Sequence, residues 1–234
     1  NPRVTSFLTR ASVFGNPLVD RFFDSVNMLP IYRPRDGADK MHLNEAIFEK
    51  CETLLGQEKG LMMFAEGSHN NNKQVRPLKT GFARIALRTL DKFPEIEDIQ
   101  IVPVGINYDN PTKAWSRASV YFGPPISVQD VISGLEEQKE KIQKLCAVTQ
   151  KAMQPLSIHI ESNYEDNFNK LKNSAVDLSD PYASNSAVKT QKFPKKQKNN
   201  LLSLMSKLIY YTSILLNLIP FLIWSWMKPK VADE

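Results

Sequence analysis

The chain has 234 residues, 42% of them hydrophobic, a length that favours one domain with appendages over two full domains. Thirty Lys and Arg against 25 Asp and Glu give a formal net charge of +5, which suits an anionic partner such as nucleic acid, phospholipid or a phosphorylated metabolite without choosing among them. Cys51 and Cys146 lie far apart, form no C-x-x-C pair and sit in amphipathic stretches; they read as reduced core thiols and give no support to a disulfide scaffold.

The first element is a strand over 4–8, and the segment around it, 1–10, lacks the apolar run of a cleavable secretory signal. A second strand is predicted over 28–32. Residues 43–55 place Leu43, Ile47, Cys51, Leu54 and Leu55 on one helical face, with Gly56 as a C-cap signal. A strand over 61–64 follows, then a helix over 81–90 with Phe82, Ile85, Ala86 and Leu90 on its apolar side. Further strands are predicted over 99–106 and 118–122, and a long charged helix over 128–153. This alternation argues for an α/β domain.

From about residue 163 the periodicity weakens. Residues 175–200 are rich in Ser, Asn, Lys and Pro and read as part of a polar basic linker, 163–200. Residues 208–227 carry no formal charge and are bounded by Lys207 and Lys228, about the length that spans a bilayer core as a helix. Tyr210, Tyr211, Trp224 and Trp226 stand towards its ends, where amphipathic rings favour the interface. A hydrophobic membrane segment is therefore expected over 201–228. The excess of Lys before it places the preceding domain on the cytoplasmic side.

Three clusters at predicted strand ends are candidates for chemistry, because open α/β sheets bind ligands at that edge. In the first, Leu29 to Asp36, Arg33 and Arg35 leave the strand with Pro34 between them, and guanidinium groups bind phosphate through a planar fork. In the second, Phe64 to His69, an acid stands beside a glycine; Lys79 and Gly81 follow near a helix start, where a cation and exposed amides hold an anion. The third, Ile101 to Asn107, supplies core and a pocket wall. The chain contains no P-loop, no dinucleotide fingerprint and no G-x-S-x-G elbow. His42, His69 and His159 are its only histidines and show no metal-ligand spacing. Nucleic-acid binding has no support from aromatic interleaving.

In their order and spacing these clusters resemble the phospholipid and glycerol acyltransferase family, which includes the lysophosphatidic acid and glycerol-3-phosphate acyltransferases. Ile31 to Arg35 is similar to the family's second block, whose arginine binds the acceptor phosphate, with Arg33 at that position. Phe64 to His69 is similar to the third block, F-P-E-G-T-R: Glu66 and Gly67 match, while Ala65, Ser68 and His69 depart from it. Lys79 and Gly81 match the lysine and glycine that follow, Ile101 to Gly105 the fourth block, and Tyr121 to Ile126 the strand and turn beyond. The family's first block, H-x-x-x-x-D, is not completed: Ile47, Gln74 and Tyr164 stand where the aspartate would follow His42, His69 and His159.

The resemblance implies an α/β fold with a mixed sheet flanked by helices, here with a C-terminal transmembrane helix. It implies an acyltransferase domain over 1–162, incomplete at its N-terminus, with the H-x-x-x-x-D pair upstream of Asn1 and little turnover by these residues alone. Substrate binding is assigned to Arg33, Arg35, Glu66, Gly67, Ser68, His69 and Lys79. The implied reaction moves a fatty acyl group from acyl-CoA or acyl carrier protein to lysophosphatidate or glycerol 3-phosphate in phospholipid biosynthesis. No cofactor or metal is implied; the expected partners are the phosphate-bearing glycerol or lysophospholipid, the acyl thioester and the membrane, with no nucleic acid. The alternative is a catalytically inactive, membrane-tethered lipid-binding homologue.

Overall fold

The computed structural model describes residues 4–33, 37–67, 72–110, 115–195, 208–215, 218 and 222. The chain divides into one unit of residues 1–172 with 176–193 and a second of 173–175 with 194–234. The first unit opens with a parallel sheet of β1 (Thr5–Arg10), β2 (Met28–Ile31) and β3 (Gly60–Met62), in the order β2-β1-β3. Ser6 and Leu8 alternate inward along β1, the period of a strand covered on one face. Helix α1 (Pro17–Ser25), absent from the sequence expectations, joins β1 to β2 and is capped by Asn16.

Helix α2 (Leu43–Gly56) joins β2 to β3, and α3 (Gly81–Lys92) packs beside it. Leu8, Leu29, Cys51 and Ile85 form the cluster between sheet and helices. Of the expected apolar face of α2, Ile47, Cys51, Leu54 and Leu55 are found there, while Leu43 is exposed; Gly56 is the last helical residue and Gln57 the cap. Gly56 is small for a packing reason instead: an added Cβ would lie 2.9 Å from the Phe93 ring. Between α2 and α3, buried Glu52 meets Arg88 at 2.7 Å and Lys92 at 3.3 Å.

The other face of α3 joins a second cluster, in which Phe82, Ala83, Ala86 and Leu87 meet Leu78, Val128 and Leu145. Two expectations are corrected in this region. The strand expected over 99–106 is divided into β4 (Gln100–Ile101) and β5 (Val104–Tyr108), which pair with different partners: β4 with β7 (Ile126–Ser127), β5 with β6 (Ala118–Phe122), both antiparallel. Pro103, which has no N–H to donate to a ladder, stands at the break. The helix expected over 128–153 is α4 (Val128–Ile132) and α5 (Gln138–Met153), separated by a turn in which Gly134 takes φ +75°.

The linker reading of 163–200 is corrected over 164–190. Helices α6 (Tyr164–Asn173) and α7 (Pro181–Thr190) pack around Ile158, Ile160, Leu171 and Ala187. Asp180 caps α7, accepting from the amides of Tyr182 at 2.9 Å and Ala183 at 3.1 Å, and Pro181 fills the first turn. Ser184 and Ala187 are buried; small side chains let α7 approach closely, so its core face shows no large apolar residues. The compact unit that holds residues 1–162 also takes in 163–172 and 176–193.

In the second unit, Ala175 donates to the Pro194 carbonyl at 2.7 Å. The expected transmembrane helix is not found: among the described residues no helix is long and apolar enough to cross a membrane. Of 201–228, residues 208–215, 218 and 222 are described, helical and exposed; the remainder of that expectation, and 196–200 of the linker, lie outside the described residues.

Candidate functional site

In a sheet of order β2-β1-β3 the chain leaves β1 towards one side and β2 towards the other. All three strands are parallel, so their carboxyl ends share one edge, the edge at which open α/β sheets hold ligands. Arg10 ends β1 beside Ile31 of β2, and Met63 to Gly67 follow β3.

The backbone after β2 is fixed by a buried amide. Asn44, 8% exposed in the first turn of α2, accepts from the Tyr32 amide at 2.9 Å and donates to the Tyr32 carbonyl at 2.8 Å. Both backbone groups of Tyr32 are satisfied by one side chain, so half-buried Arg33 leaves from a defined point beside the start of α2.

After β3 the turn is built on Gly67. Its φ is +71°, where a Cβ is disfavoured, and its amide donates to the Phe64 carbonyl at 3.1 Å. The Lys79 amide donates to the Ala65 carbonyl at 2.7 Å, which lays 79 alongside the turn; an added Cβ at Gly67 would lie 2.9 Å from Lys79 Cγ. Glu66 accepts from the Arg76 amide at 3.0 Å through one carboxylate oxygen. Its first evident task is therefore to hold backbone. Lys73, on the same segment, donates from Nζ to the Tyr108 carbonyl at 2.9 Å; burial pushes its ammonium below the usual lysine range, partly countered by the Asp109 carboxylate.

Asn44 and Lys79 line one pocket of about 490 Å³, between the first turns of α2 and α3, with His42, Phe48, Gly81 and Arg84 around it. Lys79 and Arg84 give it positive charge, and the start of α3 adds free amides. At its rim Glu45 is held by Arg88 at 2.6 Å, and that bond lowers the Glu45 carboxyl below its ordinary value. The His42 ring donates from Nδ1 to the Asp39 carbonyl at 2.5 Å. A pocket of this make-up can hold a phosphate-sized anion with a short organic body against Phe48 and Leu78.

Of the residues proposed from sequence, Glu66, Gly67 and Lys79 come together directly. Arg33 follows Tyr32, whose backbone is held by the pocket-lining Asn44. Arg35, Ser68 and His69 lie outside the described residues. The third cluster is structural: Gly105 and Asn107 of β5 are buried, and Asn107 donates to the Leu156 carbonyl at 2.9 Å and accepts from the Ile158 amide at 3.0 Å. Sequence reading missed Asn44, although a polar residue in phase with Phe48 and Cys51 on an apolar helical face was the signal. Arg10 and Arg84 carry no pattern that separates them from solvated charge.

Residues 1–107 match the family described as Acyltransferase. Glycerol-3-phosphate O-acyltransferase 1 of Saccharomyces cerevisiae is 34% identical over 123 residues, 51% of this chain and 16% of that protein. An uncharacterized acyltransferase of Schizosaccharomyces pombe is 35% identical over 81 residues, 35% of this chain and 12% of that protein. The chain thus spans under a fifth of the length of either relative. The crystal structure of the 1-acyl-sn-glycerophosphate (LPA) acyltransferase PlsC from Thermotoga maritima superposes with a TM-score of 0.40 at 14% identity, over 64% of this chain and 56% of that one, a likeness too distant to carry an argument.

Proposed function

We propose that the chain, whose residues 1–107 match the family described as Acyltransferase, takes part in acyl transfer from a thioester, acyl-CoA or acyl carrier protein, to glycerol 3-phosphate or lysophosphatidate. The observation that carries this reading is the cationic pocket between α2 and α3, whose lining residues Asn44 and Lys79 bond the backbone after β2 and the turn after β3. Arg33, Lys79 and Arg84 neutralise the acceptor phosphate. Glu66 and Gly67 shape the turn beside it, with Arg35, Ser68 and His69 as further contacts on the same reading.

In the reaction the acceptor hydroxyl loses its proton to a base and its oxygen bonds to the thioester carbonyl carbon. The carbon–sulfur bond then breaks and the thiolate leaves, to be protonated to the free thiol. No H-x-x-x-x-D pair is completed in these 234 residues, so the base is assigned to residues beyond them, and the role of this chain is binding and orientation. The lysines before 208–227, Lys189 and Lys192 among them, favour a membrane-attached protein with this domain on the cytoplasmic side.

The same absent pair favours a second reading, an inactive lipid-binding homologue. Membranes carrying the native gene product, assayed for thiol release from long-chain acyl-CoA, separate the two. Release stimulated by glycerol 3-phosphate or lysophosphatidate, and lost on Arg33→Ala, is expected. No stimulation by either acceptor in folded, membrane-bound protein refutes the transferase reading.

A further inference from the structure

Four successive amides follow the turn after β3, and each has an acceptor: Lys73 the Tyr164 hydroxyl at 2.7 Å, Gln74 the Asn72 carbonyl at 2.9 Å, Val75 His159 Nδ1 at 3.0 Å, and Arg76 Glu66 Oε1 at 3.0 Å. The Lys73 carbonyl in turn accepts from the Ile160 amide at 3.0 Å. Two of the four acceptors, His159 and Tyr164, lie beyond the 1–107 family match. His159 lies just before α6 and Tyr164 opens it.

We propose that His159 is a positioning residue for Glu66. Only φ and ψ of Val75 separate its amide from that of Arg76, and Val75 is 5% exposed, so fixing the Val75 amide on the imidazole restricts where the next amide can point and keeps it on the Glu66 carboxylate at 3.0 Å. A backbone N–H only donates, so Nδ1 is the acceptor and the ring proton sits on Nε2, which donates to Glu161 Oε1 at 3.2 Å. The ring is held from behind: the His159 amide donates to Asn185 Oδ1 at 2.9 Å, and Asn185 Nδ2 donates to the carbonyls of Ser157 at 2.9 Å and Gln154 at 3.2 Å. The His159 side chain is 10% exposed and Val75 is 5% exposed, so water has little access to replace the lost acceptor. The consequence for activity rests on Glu66 being a site residue, as proposed above; the consequence for backbone geometry does not.

Amide exchange resolved to single residues, measured by NMR on the 234-residue chain, tests the geometry. His159→Leu is expected to speed exchange of both the Val75 and Arg76 amides by about tenfold or more. His159→Asn, whose Oδ1 branches where Nδ1 does, is expected to restore both to within about threefold. Faster exchange at Val75 with Arg76 unchanged overturns the proposal. Should His159→Leu lose protection throughout α3, His159→Gln, with its acceptor one bond further out, takes its place. In membranes carrying the native gene product, His159→Leu is expected to lower kcat/KM for the acceptor about tenfold and His159→Asn to recover it; equal values for all three overturn the positioning role. If no acceptor stimulates thiol release even in the unmodified protein, the transferase reading falls, and the exchange measurement still decides whether His159 controls the Arg76 amide.

Discussion

Asn44 concentrates two backbone obligations in one side chain, and its loss is not made good by water at 8% exposure. Asn44→Ala leaves the amide and carbonyl of Tyr32 unsatisfied, at a cost of about 2–4 kcal/mol from two unmade bonds. Arg33 then departs from a loose point, so KM for the phosphorylated acceptor is expected to rise more than kcat falls, read by steady-state kinetics in membranes together with a thermal melt. Asn44→Asp keeps the acceptor for the Tyr32 amide but sets an oxygen against the Tyr32 carbonyl, and is expected to fall between the two. At Gly67 a Cβ meets both a left-handed backbone and the Lys79 stem at 2.9 Å. Gly67→Ala is expected to cost about 1–2 kcal/mol in backbone strain and to weaken glycerol 3-phosphate binding by moving Lys79, measurable by isothermal titration.

At the scale of elements, the hinge of the second half is β5 on the 156–158 segment. A Cβ on Gly105 would lie 2.1 Å from the Leu156 carbonyl oxygen, a backbone atom with little room to shift, so Gly105→Ala is expected to destabilise by about 3 kcal/mol and to lower the melting temperature accordingly. Asp177 ties the start of α7 to the segment before β6: it accepts from the Ser179 amide at 2.9 Å and meets Arg117 at 3.1 Å. The Ser179 bonds, with Arg117 beside them, hold its carboxyl below the usual aspartate value. With the folded value lower than the unfolded one, its stabilisation is present above the unfolded pKa of about 4 and drains away as pH falls through the folded value. Asp177→Asn is therefore expected to flatten the acid limb of the stability profile, followed by urea melts across pH.

The elements that were legible in the sequence are those with large residues in phase: β1 and β2, α2 with Ile47, Cys51 and Leu54, and α3. Helix α7 was not, because its buried face is Ser184 and Ala187, which composition counts as polar or neutral. Helix α1 was missed although Leu18, Val19, Phe22 and Phe23 repeat at helical spacing; in the fold that face is not buried. The break at Val102 and Pro103 was hidden because the apolar run continues through it while the hydrogen-bonding partner changes. In the candidate site, charge and glycine drew attention to Glu66, Gly67, Lys79 and Arg33, whereas Asn44 and His159 act through side-chain bonds to backbone groups whose partners only the fold reveals.

For the molecule as a whole, the family match ends at residue 107, yet the first unit does not close there. Removal of 154–193 would strip acceptors from the Lys73 and Val75 amides and the partners of Gly105 and Asn107 together. A chain ending at Met153 is expected to show no cooperative melt by circular dichroism. The bonds that finish the turn after β3 span 84 positions from Val75 to His159 and 91 from Lys73 to Tyr164, and closing such long loops is slow relative to forming a helix. During synthesis the sheet and α2 and α3 emerge first, and the segment beside Glu66 waits for α6 and α7 to leave the ribosome. Pulse-labelled refolding should therefore protect 73–76 in step with α7 rather than with β1, making the segment beside Glu66 the last part of the domain to mature.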